Sequence, residues 1–260
     1  MKKNVYLTIL TIITVFCIIF GSVYHILGWG FSFLDALFDL PHFSFDKDSA
    51  GPLSDSGEIE LDDFTSIDAD VYVMDLTIES ADRASISFSG HSKLKPKYEV
   101  KNGTLFLTQN NFRNMWGSKK CSVTITVPED QYCDRFDIQM DVGNIDIMDT
   151  DGETLELSAD VGDIDITGCS FHNMDIQSDV GDIDVDNCDF LAVNIDCSVG
   201  DICVNSAAGL SDYYIDLSTS FGDVEYNGRE YHRSYSQNGS VNGQEVVISN
   251  DTGDVELSDR

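Results

Sequence analysis

Short stretches in which apolar and polar residues alternate dominate this chain, and beyond residue 132 they recur in phase. The stretches "DVGNIDI" (141–147), "DVGDIDI" (160–166) and "DVGDIDV" (179–185) lie 19 residues apart with no insertion between them. Strict alternation over a few residues is typical of half-buried strands. The pattern therefore predicts two short strands per repeat, joined at a Gly-Asp or Gly-Asn step. These steps begin at Gly143, Gly162, Gly181, Gly200, Gly222 and Gly253.

Apolar positions of successive repeats align in columns, as a stacked architecture requires. A single repeat cannot bury its apolar face alone, whereas stacked repeats bury a continuous core. We therefore predict an all-β fold, a parallel β-solenoid with rungs of 19 residues, over residues 133–258. The columns expected to point inward are Phe136, Leu155, Met174, Val193 and Ile215; Ile138, Leu157, Ile176, Ile195 and Leu217; Met140, Ala159, Ser178 and Cys197; Val142, Val161, Val180, Val199 and Phe221; Ile145, Ile164, Ile183, Ile202 and Val224; and Ile147, Ile166, Val185, Val204 and Tyr226.

The Gly-Asp step is open to a second interpretation. Two such residues between strands are also typical of a tight hairpin, which would give an antiparallel meander. We favour the parallel solenoid, because only stacked repeats require the same residue type at the same phase. In that geometry each glycine marks a corner or bulge where a side chain would clash.

The region 58–132 is also β-rich but is predicted to be irregular and out of phase with the 19-residue rungs. "YEVKNGTLFLTQ" (98–109) contains the Asn-Gly pair of a hairpin, and "CSVTITVPED" (121–130) ends a strand at Pro128. We expect this region to begin the β stack and to cap its open end.

The N-terminus predicts a membrane anchor. Lys2 and Lys3 precede an apolar run over 5–27 that is long enough to span a bilayer, so residues 1–27 are interpreted as an uncleaved transmembrane signal anchor. The two lysines favour a cytoplasmic N-terminus, which places the β domain outside a single-pass cell-membrane protein. A cleaved signal peptide is the alternative. Residues 28–57 are interpreted as an aromatic juxtamembrane segment and linker.

Charge excludes one class of partner. The chain has 46 acidic and 15 basic residues, a formal charge of −31. Nucleic acid is therefore not an expected partner, because its phosphates require a basic surface.

The outward acidic residues form columns that are candidate cation ligands. Carboxylates on successive rungs would lie about 4.8 Å apart and repel by roughly 0.9 kcal/mol in water, and Ca²⁺ prefers such oxygen ligands. The competing interpretation, which we favour, is structural: an Asp after Gly bonds nearby backbone N–H groups and keeps the repeat soluble. The candidates are Asp163, Asp182 and Asp201 in one column and Asp146, Asp165 and Asp184 in the next.

Catalysis is not expected. The five histidines have no metal-ligand spacing, no nucleophile or phosphate-binding motif is present, and no cofactor is predicted. Cys169 and Cys188 lie one rung apart and could form a disulfide, but thiols packed in the corners are the favoured alternative. Cys197 is expected to be a small core residue.

The order of an apolar anchor, "SIDADVYV" (66–73), "VTITVPED" (123–130) and serial "VGDIDI" repeats resembles the bacterial putative-adhesin β-strand-repeat family, over roughly residues 57–258. The resemblance implies a membrane-anchored extracytoplasmic β-solenoid without catalytic residues. We expect an adhesin-like binding or scaffolding surface whose partners are an envelope polymer or a membrane sensor protein, besides the membrane itself. The alternative is an accessory protein of an envelope-stress signalling system.

Overall fold

The structure is a computed structural model that describes residues 57–109, 121–239 and 243–259. Within these ranges the chain forms twenty strands and one short 3-10 turn, Ser92–Leu94. The first ten strands are β1 (Glu58–Glu60), β2 (Ser66–Val73), β3 (Asp75–Ala81), β4 (Ser85–Gly90), β5 (Lys97–Lys101), β6 (Thr104–Thr108), β7 (Cys121–Pro128), β8 (Tyr132–Val142), β9 (Ile145–Met148) and β10 (Asp151–Val161). The others are β11 (Ile164–Thr167), β12 (Ser170–Val180), β13 (Ile183–Val199), β14 (Ile202–Ser206), β15 (Tyr214–Phe221), β16 (Val224–Tyr226), β17 (Arg229–Tyr231), β18 (Ser234–Gln237), β19 (Glu245–Thr252) and β20 (Val255–Ser258).

These strands form two sheets that share the long strand β13. In sequence order each repeat contributes one strand to the first sheet, turns at the Gly-Asp corner, and contributes the next strand to the second sheet. We call one such pair of strands a level. The strand order is β5-β6-β2-β8-β10-β12-β13-β19-β15-β18 in the first sheet and β1-β4-β7-β3-β9-β11-β13-β14-β20-β16-β17 in the second.

Neighbouring levels pair in parallel, which confirms the stacked arrangement over the meander. On the first sheet Leu155 pairs with Phe136 and with Met174, one level to each side. On the second sheet Ile164 pairs in the same way with Ile145 and Ile183. One level of the stack is therefore 19 residues long, so residues 19 apart in sequence lie next to each other on adjacent strands.

The core lies along the inner faces of the two sheets. Its columns are built from like side chains, as expected for a repeat whose equivalent positions stack. Ile145, Ile164 and Ile183 are fully buried, and the rings of Phe136 and Phe171 contact edge to face with centroids 5.5 Å apart. The small-residue column is also confirmed as inward, because Cys197 is buried with its equivalents Met140, Ala159 and Ser178.

The last repeat in the sequence is not the last level of the stack. β19 pairs with β13 on one side and β15 on the other, and β20 lies between β14 and β16 in the second sheet. Val246 therefore lies between Val193 and Ile215, which are consecutive members of one predicted inward column. The insertion between β16 and β19 provides the chain length for this return. It also carries the antiparallel strands β17 and β18, which cover the outermost level.

The N-terminal region contains a regular level of the stack that the sequence analysis did not recognise. Ile67 pairs with Phe136 and Leu76 with Ile145, so β2 and β3 continue both sheets in register with β8 and β9. This level is regular in the structure, although the separation of Ile67 from Phe136 in sequence is not a multiple of 19 residues. Its signal was concealed because Met74 occupies the place of the corner glycine.

One further parallel level, β6 and β7, lies outside β2 and β3. The antiparallel strands β4 and β5 then cover this level, and β1 pairs with β4. Residues of the 58–132 region thus begin the stack and cap its end, as predicted.

The predicted anchor over residues 1–27 and the aromatic segment that follows it lie outside the described residues. Among the residues that are described, no helix has the length and hydropathy needed to cross a bilayer.

The corner glycines are required by close backbone contact. A Cβ atom at Gly181 would lie 2.0 Å from the carbonyl oxygen of Gly162, and one at Gly200 would lie 2.0 Å from that of Gly181. The φ angles are +149° and +151°, a backbone conformation that side chains rarely adopt. The predicted clash at the corner is therefore confirmed, and its partner is the backbone of the adjacent level.

We expect Gly181→Ala to lower the free energy of unfolding by about 2–5 kcal/mol, since it combines backbone strain with a clash against rigid backbone. Thermal and urea unfolding would measure the loss. Gly228→Ala is the matched control, because Gly228 also has a positive φ of +72° but no atom within 4 Å of the added Cβ. It should cost only about 1–2 kcal/mol. Equal losses for the two variants would contradict the assigned contact.

Candidate binding surface at the Gly-Asp corner

The residue after each corner glycine forms a hydrogen-bonded ladder along the stack. Its side-chain oxygen accepts a hydrogen bond from the backbone N–H of the equivalent residue in the next level. The bonds run from Asn144 N to Asp75 Oδ1 at 3.3 Å, Asp163 N to Asn144 Oδ1 at 3.2 Å, Asp182 N to Asp163 Oδ1 at 3.0 Å, Asp201 N to Asp182 Oδ1 at 2.8 Å, Asp254 N to Asp201 Oδ1 at 2.8 Å, and Asp223 N to Asp254 Oδ1 at 2.9 Å. We call these residues the Asp ladder.

The ladder satisfies a donor that the corner would otherwise leave without a protein partner. The N–H of Gly162 donates to the carbonyl of Val180, and that of Ile164 donates to the carbonyl of Asp182. The N–H between them, at Asp163, points the opposite way along the stack and reaches a side chain instead. Backbone donors are normally paired. An Asp or Asn is thus suited to this position, which supports the structural interpretation of the column, with a partner on the next level.

The six candidate cation ligands are distributed over two exterior columns. One oxygen each of Asp163, Asp182 and Asp201 is already bonded to a backbone N–H. In the second column burial raises the pKa of Asp165, and the charge of Asp146 raises it further. Within the described residues no three His, Cys, Asp or Glu side chains converge as a metal site would require. Ca²⁺ binding by these residues stays an untested alternative to their structural role.

The residue before each glycine points outward, and the prediction that it points inward is wrong. Val142, Val161, Val180 and Val199 are 45%, 47%, 46% and 47% exposed, whereas Ile183 and its column are buried. The alternation breaks just before the corner. Ala159 pairs with Ser178 and Val161 with Val180, but Asp160 is skipped, so two consecutive residues face solvent.

We call Val142, Val161, Val180 and Val199 the valine ridge. Thr252 follows Val199 in the stack and pairs with Phe221, which is 69% exposed and ends the row. Isolated apolar residues on a surface are ordinary, but contiguous ones mark interaction sites. Because equivalent positions lie about 4.8 Å apart, the valines form one continuous apolar strip.

Acidic residues border the ridge on both sides. Asp141, Asp160 and Asp179 precede the first three valines and are exposed, whereas Ser198 precedes Val199; the Asp ladder follows the glycines on the other side. Burial raises the pKa of Asp141, and the charges of Asp160 and Asp70 raise it further. The surface is therefore an apolar strip between two negatively charged columns. The outward direction of the valine in each "DVG" step could be predicted only by knowing where the alternation stops. The periodicity of the sequence does not give that position.

A second feature lies at the opposite ends of the first-sheet strands. Glu153 accepts a hydrogen bond from the Tyr132 hydroxyl at 3.0 Å, and its carboxylate lies 2.7 Å from His172 Nδ1. An open depression of 360 Å³ adjoins His172 and is lined in part by Leu191 and Tyr213. Partial burial, and then the bond to Glu153, raises the pKa of Tyr132.

The stacked cysteines are separate thiols, which agrees with the favoured alternative. Cys169 and Cys188 are both buried, and the backbone N–H of Cys169 donates to the sulfur of Cys188 at 3.4 Å. The pKa of Cys188 is raised by its hydrogen bond with the neighbouring Cys169 thiol and, in addition, by burial. Each thiol also contacts backbone carbonyls of its own corner, Thr167 and Asp186, at 3.4 Å and 3.3 Å. These cysteines serve as small polar residues where each level passes from its second-sheet strand to the next first-sheet strand.

For the Asp ladder we expect Asp182→Ala to lower the free energy of unfolding by about 1 kcal/mol, since the N–H of Asp201 loses its acceptor. Asp182→Asn should be within a few tenths of a kcal/mol of the parent chain or slightly above it, because an amide oxygen still accepts the bond and like-charge repulsion falls. Asn144 already fills this role in one level. Urea unfolding of the two variants provides the test. The ladder would be refuted if alanine and asparagine had the same effect.

Acidic pH should stabilise the columns. Burial, followed by neighbouring carboxylates, raises the pKa of Asp146, Asp165 and Asp141 above the ordinary value near 3.9. A carboxyl with a raised pKa binds more protons in the folded chain than in the unfolded chain, so its contribution to stability increases as pH falls through the raised pKa. The contribution levels off below about pH 4, where the unfolded carboxyls also become protonated.

Thermal unfolding between pH 7 and pH 4.5 would measure this effect. We expect the double variant Asp146→Asn/Asp165→Asn to be more stable than the parent chain at pH 7 and to gain less on acidification. The charge-matched control is Asp151→Asn/Asp189→Asn, at the far ends of the first-sheet strands. A control with the same reduced pH dependence would assign the effect to net charge instead of the column.

Comparisons with known proteins address the fold. A putative cell adhesion protein from Clostridium sporogenes has 18% sequence identity to this chain and a TM-score of 0.53, with 79% of this chain and 99% of that chain covered. A putative adhesin from Bacteroides fragilis has 20% identity and a TM-score of 0.47, with coverage of 79% and 96%. At these identities the first likeness shows the fold alone, and the second carries no argument.

No curated protein matches the sequence significantly. The family described as Toastrack DUF4097 matches residues 64–257, which extend from just before β2 into β20. This range is most of the chain. It includes all the parallel levels and the antiparallel strands β4, β5, β17 and β18 that cover the ends of the stack. The chain therefore belongs to the Toastrack DUF4097 family, and the resemblance to a putative-adhesin β-repeat family is confirmed.

Proposed function

We propose that this chain is a membrane-anchored, extracytoplasmic β-repeat protein that provides an adhesin-like binding or scaffolding surface in the cell envelope. The observation that carries the proposal is the valine ridge, a contiguous apolar strip that several levels display to solvent. Such a strip is exposed at a cost in solubility and is typical of an interaction site. The dense acidic columns beside it keep the rest of the surface hydrated.

The sequence supports the location. The apolar run over residues 5–27 and the lysines before it favour an anchor with the β domain outside the membrane. The adhesion-related name of the Clostridium sporogenes protein, which has a similar fold, agrees with a surface role. The described residues contain buried thiols and carboxylates committed to structural bonds, which suits a binding module better than an enzyme.

Protease treatment of intact protoplasts tests the location. We expect added protease to remove the β domain while a cytoplasmic marker protein survives, because the lysines orient the anchor. Lysed protoplasts provide the control in which both are degraded. A β domain that is protected in intact protoplasts and digested after lysis would refute the extracytoplasmic orientation.

Crosslinking in intact cells tests the function. Photo-reactive groups placed at Val161 and Val180 should capture an envelope component, whereas groups placed at Asp151 and Asp189 should capture much less. Capture confined to groups placed in the anchor, with a membrane sensor protein as the product, would favour the signalling role over the adhesin-like role. Equal capture from both sites on the β domain would leave the ridge without a special role.

A further inference from the structure

We propose that the valine ridge binds a cationic amphipathic α-helix, which lies along the stack with its apolar face on the valines and its Lys or Arg side chains over the two acidic columns. The proposal rests on the proposed function and deepens it, because it names the kind of partner. It is carried by the exposure of four valines in consecutive levels and by the charge on either side of them.

Charge complementarity selects a cationic partner. Between Arg135 and Arg229 the sequence has no Lys or Arg and has 22 acidic residues. Asp160 and Asp179 lie on one side of the ridge and Asp163 and Asp182 on the other, and all four are exposed. A partner must therefore place positive charge on both sides of an apolar strip. Opposite charges at the border of an interface also accelerate association and fix its register.

The spacing of the ridge selects a helix over an extended strand. Valines of consecutive levels lie about 4.8 Å apart. An α-helix returns the same face about every 5.4 Å, whereas a strand does so about every 6.8 Å. The row from Val142 through Thr252 to Phe221 covers five such intervals, about 24 Å, which matches a helix of about 16 residues. An amphipathic helix carries an apolar stripe with polar residues on both sides. If those polar residues are basic, the helix is complementary to the ridge in shape and opposite to its borders in charge.

Charge argues against other occupants of the ridge. A second copy of this chain would bring its own acidic columns against Asp160 and Asp163, where like charges repel. A membrane rich in anionic lipid would be repelled in the same way. Self-association of the chain remains an outcome that the binding experiment can detect.

The test uses the full-length chain in nanodiscs of phosphatidylcholine, with empty nanodiscs as the blank. The probe is a fluorescent peptide of about 18 residues made of Leu and Lys in helical amphipathic order. Two control peptides have the same composition in scrambled order, or Glu in place of Lys. We expect the amphipathic cationic peptide to bind with saturation and 1:1 stoichiometry, and both controls to bind at least about tenfold more weakly.

Variants then assign the site. The triple variant Val161→Thr/Val180→Thr/Val199→Thr keeps β-branched residues on an exposed edge and should weaken binding by about tenfold or more. If it does not fold, Val180→Lys alone should have the same effect, because it places a positive charge against the helix. Asp160→Asn/Asp179→Asn should weaken binding severalfold and reduce its dependence on salt. Asp151→Asn/Asp189→Asn, which removes the same charge at the far ends of the strands, should change the affinity less than about twofold.

Several results would overturn the proposal. They are unchanged affinity in the folded valine variants, equal binding of the scrambled peptide, or equal losses for the two charge variants, which would indicate general electrostatic attraction. Self-association of the nanodisc-bound chain that Val180→Lys abolishes would identify a second copy as the occupant instead. These measurements use purified protein, so they do not depend on cellular location. A failure here leaves the protoplast result standing, and a protected β domain leaves the peptide result standing.

Discussion

The contact between a corner glycine and the carbonyl of the preceding level is the constraint on which the rest of this structure depends. With 2.0 Å or less between that carbonyl and a Cβ at Gly162, Gly181 or Gly200, side chains are excluded at the corner and the backbones of adjacent levels approach closely. The close approach sets the N–H of the next residue within reach of the Asp one level back. The same corner stops the alternation early and turns the valines outward. The Asp ladder and the valine ridge thus both lie at this contact.

Both ends of the stack are formed by strands that break the simple order of the repeats. At one end β6 and β7 lie outside β2 and β3, and at the other the final level in sequence, β19 and β20, lies inside β15 and β16. A parallel stack leaves unpaired backbone groups at its terminal strands, which would invite pairing with other chains. The antiparallel strands β4, β5, β17 and β18 cover these edges. The insertions that interrupt the period are therefore part of how the stack ends.

The parallel stack, the inward columns at Phe136, Ile145 and Ile147, and the glycine clash follow from the sequence, because burial imposes a period of two and stacking imposes a period of 19. Three features do not. The level of β2 and β3 lacks the glycine by which the repeats were aligned, since Met74 stands in its place. The insertion of β19 between β13 and β15 is a pairing between strands that are distant in sequence, and the local pattern of residues does not predict it. The exposure of Val161 depends on a skipped residue, Asp160, and not on its own side chain.

The acidic columns show why shape and chemistry are hard to separate in a repeat. Asp163 and Asp182 satisfy backbone donors, so a structural role fully accounts for their residue type. Asp160 and Asp179 are not members of that ladder, yet they repeat in the same way, and the charge of Asp160 raises the pKa of Asp141. Stacking multiplies either kind of side chain into a column, whether or not a column is useful. Whether an acidic column also has a role in binding depends on its neighbours. An acidic column on a surface without exposed apolar residues only maintains solubility. Beside an exposed apolar strip it also selects the charge of a partner that covers the strip. At the corner the second condition holds, because the valines lie between two such rows.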